Sequence, residues 1–219
     1  HDTFSDFLNS MLSGINFSPP LYFFFNFLLH CIYPSSLELL RFESIAWTLI
    51  GAVLCFYTSK KLVGGTAAFM GIFLVFCNSN LLLSNSLEAR HYTMFFACAS
   101  WVLHDFAKQK HGKFGGISTF LAHLSLCLVH YLGIIFSGLI GMVLLLKNKN
   151  FSFWKRLPLP LVTSWIAAVP SHLLLLSNQT SHLNTWPKIN TFEALLESYD
   201  GLGTLLFLLI PIVLCLIFS

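Results

Sequence analysis

Long apolar runs, separated by short polar clusters, set the rhythm of this chain. The runs cover residues 45–59, 66–84, 92–107, 117–146, 157–176 and 201–219. A helix that crosses a membrane needs about 20 apolar residues, with a range of about 17–25. Run 117–146 is too long for one such helix and contains a break at His130-Tyr131-Leu132-Gly133. Splitting it there gives seven spans. The pattern therefore predicts an all-α protein, a polytopic transmembrane helical bundle of about 6–7 spans.

Residues 20–33 form a shorter apolar stretch. It starts after Pro19-Pro20, a good helix N-terminus, and stops at Pro34. At about 1.5 Å per residue it reaches about 20 Å, against a hydrocarbon core of about 30 Å. It reads as a helix lying in the outer interface. The chain then divides as one transmembrane unit: an outer loop 1–44 holding this helix, membrane helices over 45–176, an outer loop 177–200 and a further membrane helix 201–219. Residue 1 is His and the last run is still apolar at its end, so the natural protein is expected to continue both ways.

Composition agrees with lipid as the main solvent. Hydrophobic residues make up 56% and charged residues 10% of the 219, against about 25% charged in soluble domains. Charge placement then orients the bundle. Lys60, Lys61, Lys108, Lys110, Lys113, Lys147, Lys149, Lys155 and Arg156 fall on one side, and only Arg41, Arg90 and Lys188 on the other. Basic loops stay cytoplasmic. The acids fall oppositely: Asp2, Asp6, Glu38, Glu43, Glu88, Glu193, Glu197 and Asp200 outside, Asp105 near an inner end. No basic, aromatic-rich block suggests nucleic acid. The six Cys form no CxxC pair, and five lie in apolar runs, where Cys serves as a small hydrophobe. No spacing of His, Cys or acids makes a metal site.

Four polar segments carry candidate chemistry. In Glu88-Ala89-Arg90-His91-Tyr92, Glu88 reads either as a helix-start acid in a solvated turn or as a carboxylate steering a polar substrate, with Arg90 beside it for an anion. In Ser18-Pro19-Pro20-Leu21-Tyr22-Phe23, Tyr22 reads as an interfacial anchor. In Val129-His130-Tyr131, a His within an apolar run must find a partner, either a neighbouring helix or a phosphate or hydroxyl in an outward cavity. Trp186-Pro187 lies in the last outer loop. His123 and His172 read as packing residues.

These segments, in this order, resemble bacterial GT-C glycosyltransferases of the type that includes the rhizobial lipid A galacturonosyltransferases. Protein O-mannosyltransferases and aminoarabinose transferases are more distant relatives of that type. The match runs from Asn16 to Pro187 through Ser18-Pro19-Pro20-Leu21-Tyr22-Phe23, Leu40-Arg41-Phe42-Glu43-Ser44, Ser59-Lys60-Lys61-Leu62-Val63-Gly64, Glu88-Ala89-Arg90-His91-Tyr92 and Val129-His130-Tyr131. The resemblance implies sugar transfer from a polyprenyl-phosphate donor to a lipid, glycan or protein acceptor. The reaction would take place on the outer face of a bacterial inner membrane. It implies Glu88, with Asp2 and Asp6, as the catalytic carboxylates of this chain. Arg90, His130, Tyr131, Tyr22 and Tyr92 would bind substrate. A divalent metal is left open, with no clear site for one.

The chain also departs from that pattern. The family's principal acid is often Asp-Glu after the first transmembrane helix, whereas Asp2 and Asp6 lack a following Glu and sit too close to Pro19. The main base is therefore expected upstream of residue 1. Ser18 replaces a frequent His. Two other classes compete: a secondary transporter, and a catalytically inactive relative with a scaffold role. Acids gathered at one face, and no repeated halves, favour the enzyme over the transporter.

Overall fold

A computed structural model describes residues 20–33, 37–78, 91–108, 116–130, 132–147 and 159–182, with Phe4, Ser5 and Asn9. Among these the protein is all-helical. The helices are α1 (Pro20–Ile32), α2 (Leu37–Val63), α3 (Gly65–Asn78), α4 (His91–Lys108), α5 (Gly116–Val129), α6 (Leu132–Lys147) and α7 (Leu159–His182). Run 201–219 lies outside the described residues. Among the described residues one helix, over Glu38–Lys61, is long and apolar enough to cross a membrane, and only 22% of its apolar window is buried within the protein. Pro20–Ile32, Gly65–Leu74, Gly116–Val129, Leu132–Leu145 and Leu159–Leu174 are shorter apolar helices.

Helix α2 starts at Leu37, inside what the sequence pattern marks as loop 1–44. Glu38 and Arg41 are sound helix formers, and no Gly or Pro interrupts the chain from Leu37 to Gly51. The helix stops at Gly64, whose φ of 87° puts it in the left-handed region. Its amide donates to the Lys60 carbonyl (3.1 Å) and closes the last turn. Run 117–146 divides at the expected place. The His130 carbonyl accepts from the Gly133 amide (2.8 Å), and His130 Nδ1 accepts from the Leu132 amide (3.1 Å). His130 thus caps the start of α6, satisfying amides that a helix N-terminus leaves unpaired.

Helix α4 is the centre of the bundle. Met94, Phe95, Ala97, Cys98, Ala99, Val102, Leu103 and Phe106 are all buried, together with Thr93, Ser100 and Asp105. It packs on α2 on one side and α5 on the other, while α5 also carries α7, α6 and α1. Helix α2 shows the packing logic most clearly. Phe42, Ile45, Leu49, Val53 and Tyr57 recur at spacings of three and four and are exposed. Ser44, Thr48, Gly51 and Thr58 recur on the opposite face and are buried. Small and hydroxyl residues meet the neighbouring helix, and large apolar ones face outward. That is the reverse of a helix in water.

Polar side chains tie adjacent helices together. The Cys55 and Ser100 side chains meet at 3.2 Å, and Thr58 Oγ1 and His104 Nδ1 at 3.2 Å, joining α2 to α4. Thr119 donates to Asp105 Oδ2 at 2.6 Å, joining α5 to α4. Ser137 on α6 accepts from Trp165 Nε1 of α7 (2.6 Å) and shares a hydrogen bond with His123 Nδ1 of α5 (2.7 Å). His172 Nε2 on α7 bonds the Cys127 carbonyl at 2.9 Å. His123 and His172 therefore join helices, in keeping with their reading as packing residues.

Two glycines mark close approaches with different tolerances. A Cβ on Gly133 would meet the Leu126 carbonyl oxygen and its carbon, both backbone atoms. A Cβ on Gly51 would meet chiefly the Phe96 ring, a side chain that can turn aside. Overpacking costs about 1–3 kcal/mol and more where the neighbour cannot yield. Gly133→Ala should therefore lower the thermal midpoint in detergent micelles clearly further than Gly51→Ala. The reverse order would contradict the tight α5–α6 hairpin.

Candidate functional site

Three elements meet at one end of the bundle: the start of α1, the start of α4 and the α5–α6 turn. Tyr22 comes from the first, His91 and Tyr92 from the second, and His130 from the third. Their rings form one cluster. His91 stacks on His130 with ring centres 4.9 Å apart and planes inclined by 25°. Tyr22 meets His91 edge-on at 6.0 Å, and Tyr92 lies 4.3 Å from His91 and 5.8 Å from His130. Phe95, one turn further down α4, closes the floor 5.5 Å from His130.

Three of the substrate-binding candidates, Tyr22, Tyr92 and His130, thus converge. The residue that joins them is His91, which appears in the sequence only as a member of the Glu88–Tyr92 motif. Its signal was its position, immediately before Tyr92 at a helix start. Glu88, Arg90, Asp2, Asp6, Tyr131 and Trp186 lie outside the described residues.

The electrostatics of His130 follow from its capping role. Nδ1 accepts a backbone amide, so in the neutral ring the proton sits on Nε2. Burial holds its pKa well below the ordinary range, at about 4. At neutral pH His130 is an uncharged hydrogen-bond donor through Nε2.

A second polar group adjoins the first through Tyr22. Helix α2 presents Glu43, only 8% exposed, and one turn later Trp47, whose Nε1 donates to Glu43 Oε1 at 3.0 Å. Glu43 Oε2 has no partner. Nor do the Tyr22 hydroxyl, Asn26 Oδ1 and Ser44 Oγ, all buried. Burial raises the pKa of Tyr22; nearby Asn26 opposes the rise and the charge of Glu43 adds to it. Buried polar atoms are nearly always hydrogen-bonded, and leaving one unpaired costs about 1–3 kcal/mol. The i, i+4 spacing of Glu43 and Trp47 was readable in the sequence; its meeting with α1 was not.

Beside this group lies an apolar cleft of about 550 Å³ between α1, α2 and α4. Phe24, Phe25, Trp47, Ile50, Leu54 and Trp101 contribute to its walls. Phe25 packs edge-on against Trp47 at 5.5 Å, so one indole borders both the cleft and the Glu43 carboxylate. Among the described residues no three His, Cys, Asp or Glu side chains gather as a metal site.

No protein-family model, characterised protein or solved structure matches this chain.

The low pKa of His130 predicts a pH dependence. The folded protein resists protonating this ring, and the unfolded chain takes up the proton at about 6.5. The unfolded state therefore binds more protons between about pH 6.5 and the folded value of about 4. Stability from this group is complete above the upper value and falls as pH drops through the window. The loss of thermal midpoint between pH 7.5 and pH 5 should be smaller in His130→Gln than in the wild type. An equal loss would mean that His130 titrates normally.

Proposed function

We propose that this chain forms a polytopic membrane bundle that transfers a sugar from a polyprenyl-phosphate donor to an acceptor at the outer membrane face. The observation that carries the reading is the convergence of Tyr22, Tyr92 and His130, from three separate elements, around His91. Each comes from a segment on which the glycosyltransferase resemblance rests.

Several features support the membrane setting. Large apolar side chains face outward along α2, and small or hydroxyl residues face inward. On α6 Ile134, Ile135, Leu139 and Met142 are likewise exposed, although its buried face mixes Ser137 and Gly141 with Phe136, Ile140 and Leu144. Polar hydrogen bonds between helices suit a medium without water. Positive charge at the opposite ends of the helices supports an outer-face position for the aromatic cluster. Helix α1, short and bordered by prolines, is read as lying along that outer interface.

The chemistry follows from the residues at hand. An acceptor hydroxyl oxygen attacks the anomeric carbon and forms the new glycosidic C–O bond. The bond from that carbon to the phosphate oxygen breaks, and polyprenyl phosphate leaves with the electron pair. The hydroxyl proton passes to a carboxylate, and Glu88 orients the hydroxyl or helps to deprotonate it. Glu88 is three residues from His91, so the chain alone keeps their backbones within about 11 Å. Arg90 offers a charged fork to the phosphate, and neutral His130 a hydrogen-bond donor.

The transporter reading draws on Asp105 and His123, ionisable groups buried within the bundle. Both are engaged in short hydrogen bonds that join helices, Asp105 with Thr119 and His123 with Ser137. Among the described residues, Glu43 has one carboxylate oxygen without a partner, beside the aromatic cluster, which favours the enzyme.

In the full-length protein, Glu88→Gln should insert normally and lose about 10²–10⁴-fold in sugar transfer, the usual contribution of a positioned acid or base. The assay follows a labelled sugar from polyprenyl phosphate to acceptor in membranes, with protein level measured in parallel. Wild-type rates in this variant would remove Glu88 from the mechanism.

A further inference from the structure

The group around Glu43 is a set of oxygens without donors. Glu43 Oε2 and Asn26 Oδ1 can only accept, while the Tyr22 and Ser44 hydroxyls can accept or donate. Three of the side chains are held in register by two helices: Tyr22 and Asn26 stand one turn apart on α1, and Glu43 on α2 bears electrostatically on Tyr22. Glu43 is itself more than nine-tenths buried and is fixed on its other oxygen by Trp47. An anionic ligand group is a poor occupant here. It would bring further acceptors to atoms that need donors, and negative charge to a carboxylate.

The rest of the surroundings narrows the ligand. Trp47 and Phe25 stand edge-to-face beside the carboxylate and lead into the apolar cleft. Aromatic walls with a few fixed acceptors suit a sugar ring, whose C–H faces pack on the rings while its hydroxyls donate to the carboxylate and amide oxygens. The cleft then receives whatever apolar chain the sugar carries.

We propose that Glu43, Asn26 and Tyr22 form a socket for a sugar that bears no acidic substituent, and that Glu43 excludes uronic acids by charge. The socket deepens the transferase reading by naming the class of sugar. It bears on the resemblance directly, because galacturonosyltransferases carry an acidic sugar. The exclusion rests on like charges, whose close contact in a buried site is unfavourable.

The test uses the purified full-length protein and two amphiphiles that differ only in the head group, dodecyl glucoside and dodecyl glucuronide. Native mass spectrometry at matched concentrations below micelle formation reads the bound fraction of each. The wild type should bind the glucoside at least about tenfold better, the effect of one unfavourable charge contact. Glu43→Gln keeps the size and an acceptor but removes the charge, and should bring the two within about threefold of one another. Equal binding of both by the wild type would overturn the proposal, and this arm needs no variant to fold. An unchanged preference in well-folded Glu43→Gln would overturn it too. Because binding is read without transfer, the two readings fail separately. A protein that discriminates yet transfers no sugar keeps the socket and loses the transferase. One that transfers sugar without discriminating loses the socket alone.

Discussion

A polar atom buried in this protein must be satisfied by another part of the protein or by a ligand. With 10% charged residues there is no polar shell to draw on. The bundle answers this constraint in its interior by pairing. Asp105 takes the hydroxyl of Thr119, Ser137 serves both His123 and Trp165, and His172 meets a backbone carbonyl. Each bond joins two helices, so satisfying the polar atom and fixing the helix packing are one event. Where α1 meets α2 the answer changes. There Glu43 Oε2, Asn26 Oδ1 and the Tyr22 hydroxyl are buried and unpaired, next to a ring cluster and a cleft. The contrast separates the part of the molecule that holds itself together from the part suited to holding something else.

Position within the fold explains how the site is built. Helix α4 is buried on all sides because Ala97, Cys98, Ala99 and Ser100 let neighbours come close. Its first turn, carrying His91 and Tyr92, is thereby fixed against α5. His130 is fixed in turn by capping α6. The stacked pair of imidazoles thus rests on two constraints that have nothing to do with each other, a tightly packed helix and a helix cap. Tyr22 reaches the pair from α1, which is also the helix that completes the socket at Glu43. Movement of α1 would alter both groups together.

Much of the helix layout was legible in the sequence, because run lengths and breakers act locally. The break at His130 falls between α5 and α6 as the pattern predicts, and the stop near Pro34 ends α1. Helix α2 starts before its apolar run, since Glu38, Arg41 and Glu43 interrupt the run without interrupting the helix. Partnerships were less legible. A common role for Tyr22, Tyr92 and His130 follows only from the resemblance, and His91 is marked in the sequence only by its place before Tyr92 at a helix start. Glu43 looked like one more outer acid. Its burial depends on α1 folding over α2, a contact between segments that periodicity cannot join.

Transfer at the outer face requires that the ends of the helices bearing the aromatic cluster face outward. Single cysteines at positions 88, 110, 149 and 186, in an otherwise cysteine-free full-length protein, can be treated with a membrane-impermeant maleimide in intact cells. Positions 88 and 186 should label from outside, while 110 and 149 should label only after the membrane is opened, as the basic residues on that side require. Labelling of 88 and 110 from the same side would contradict the topology, and with it the assignment of the aromatic cluster and the Glu43 socket to the outer face.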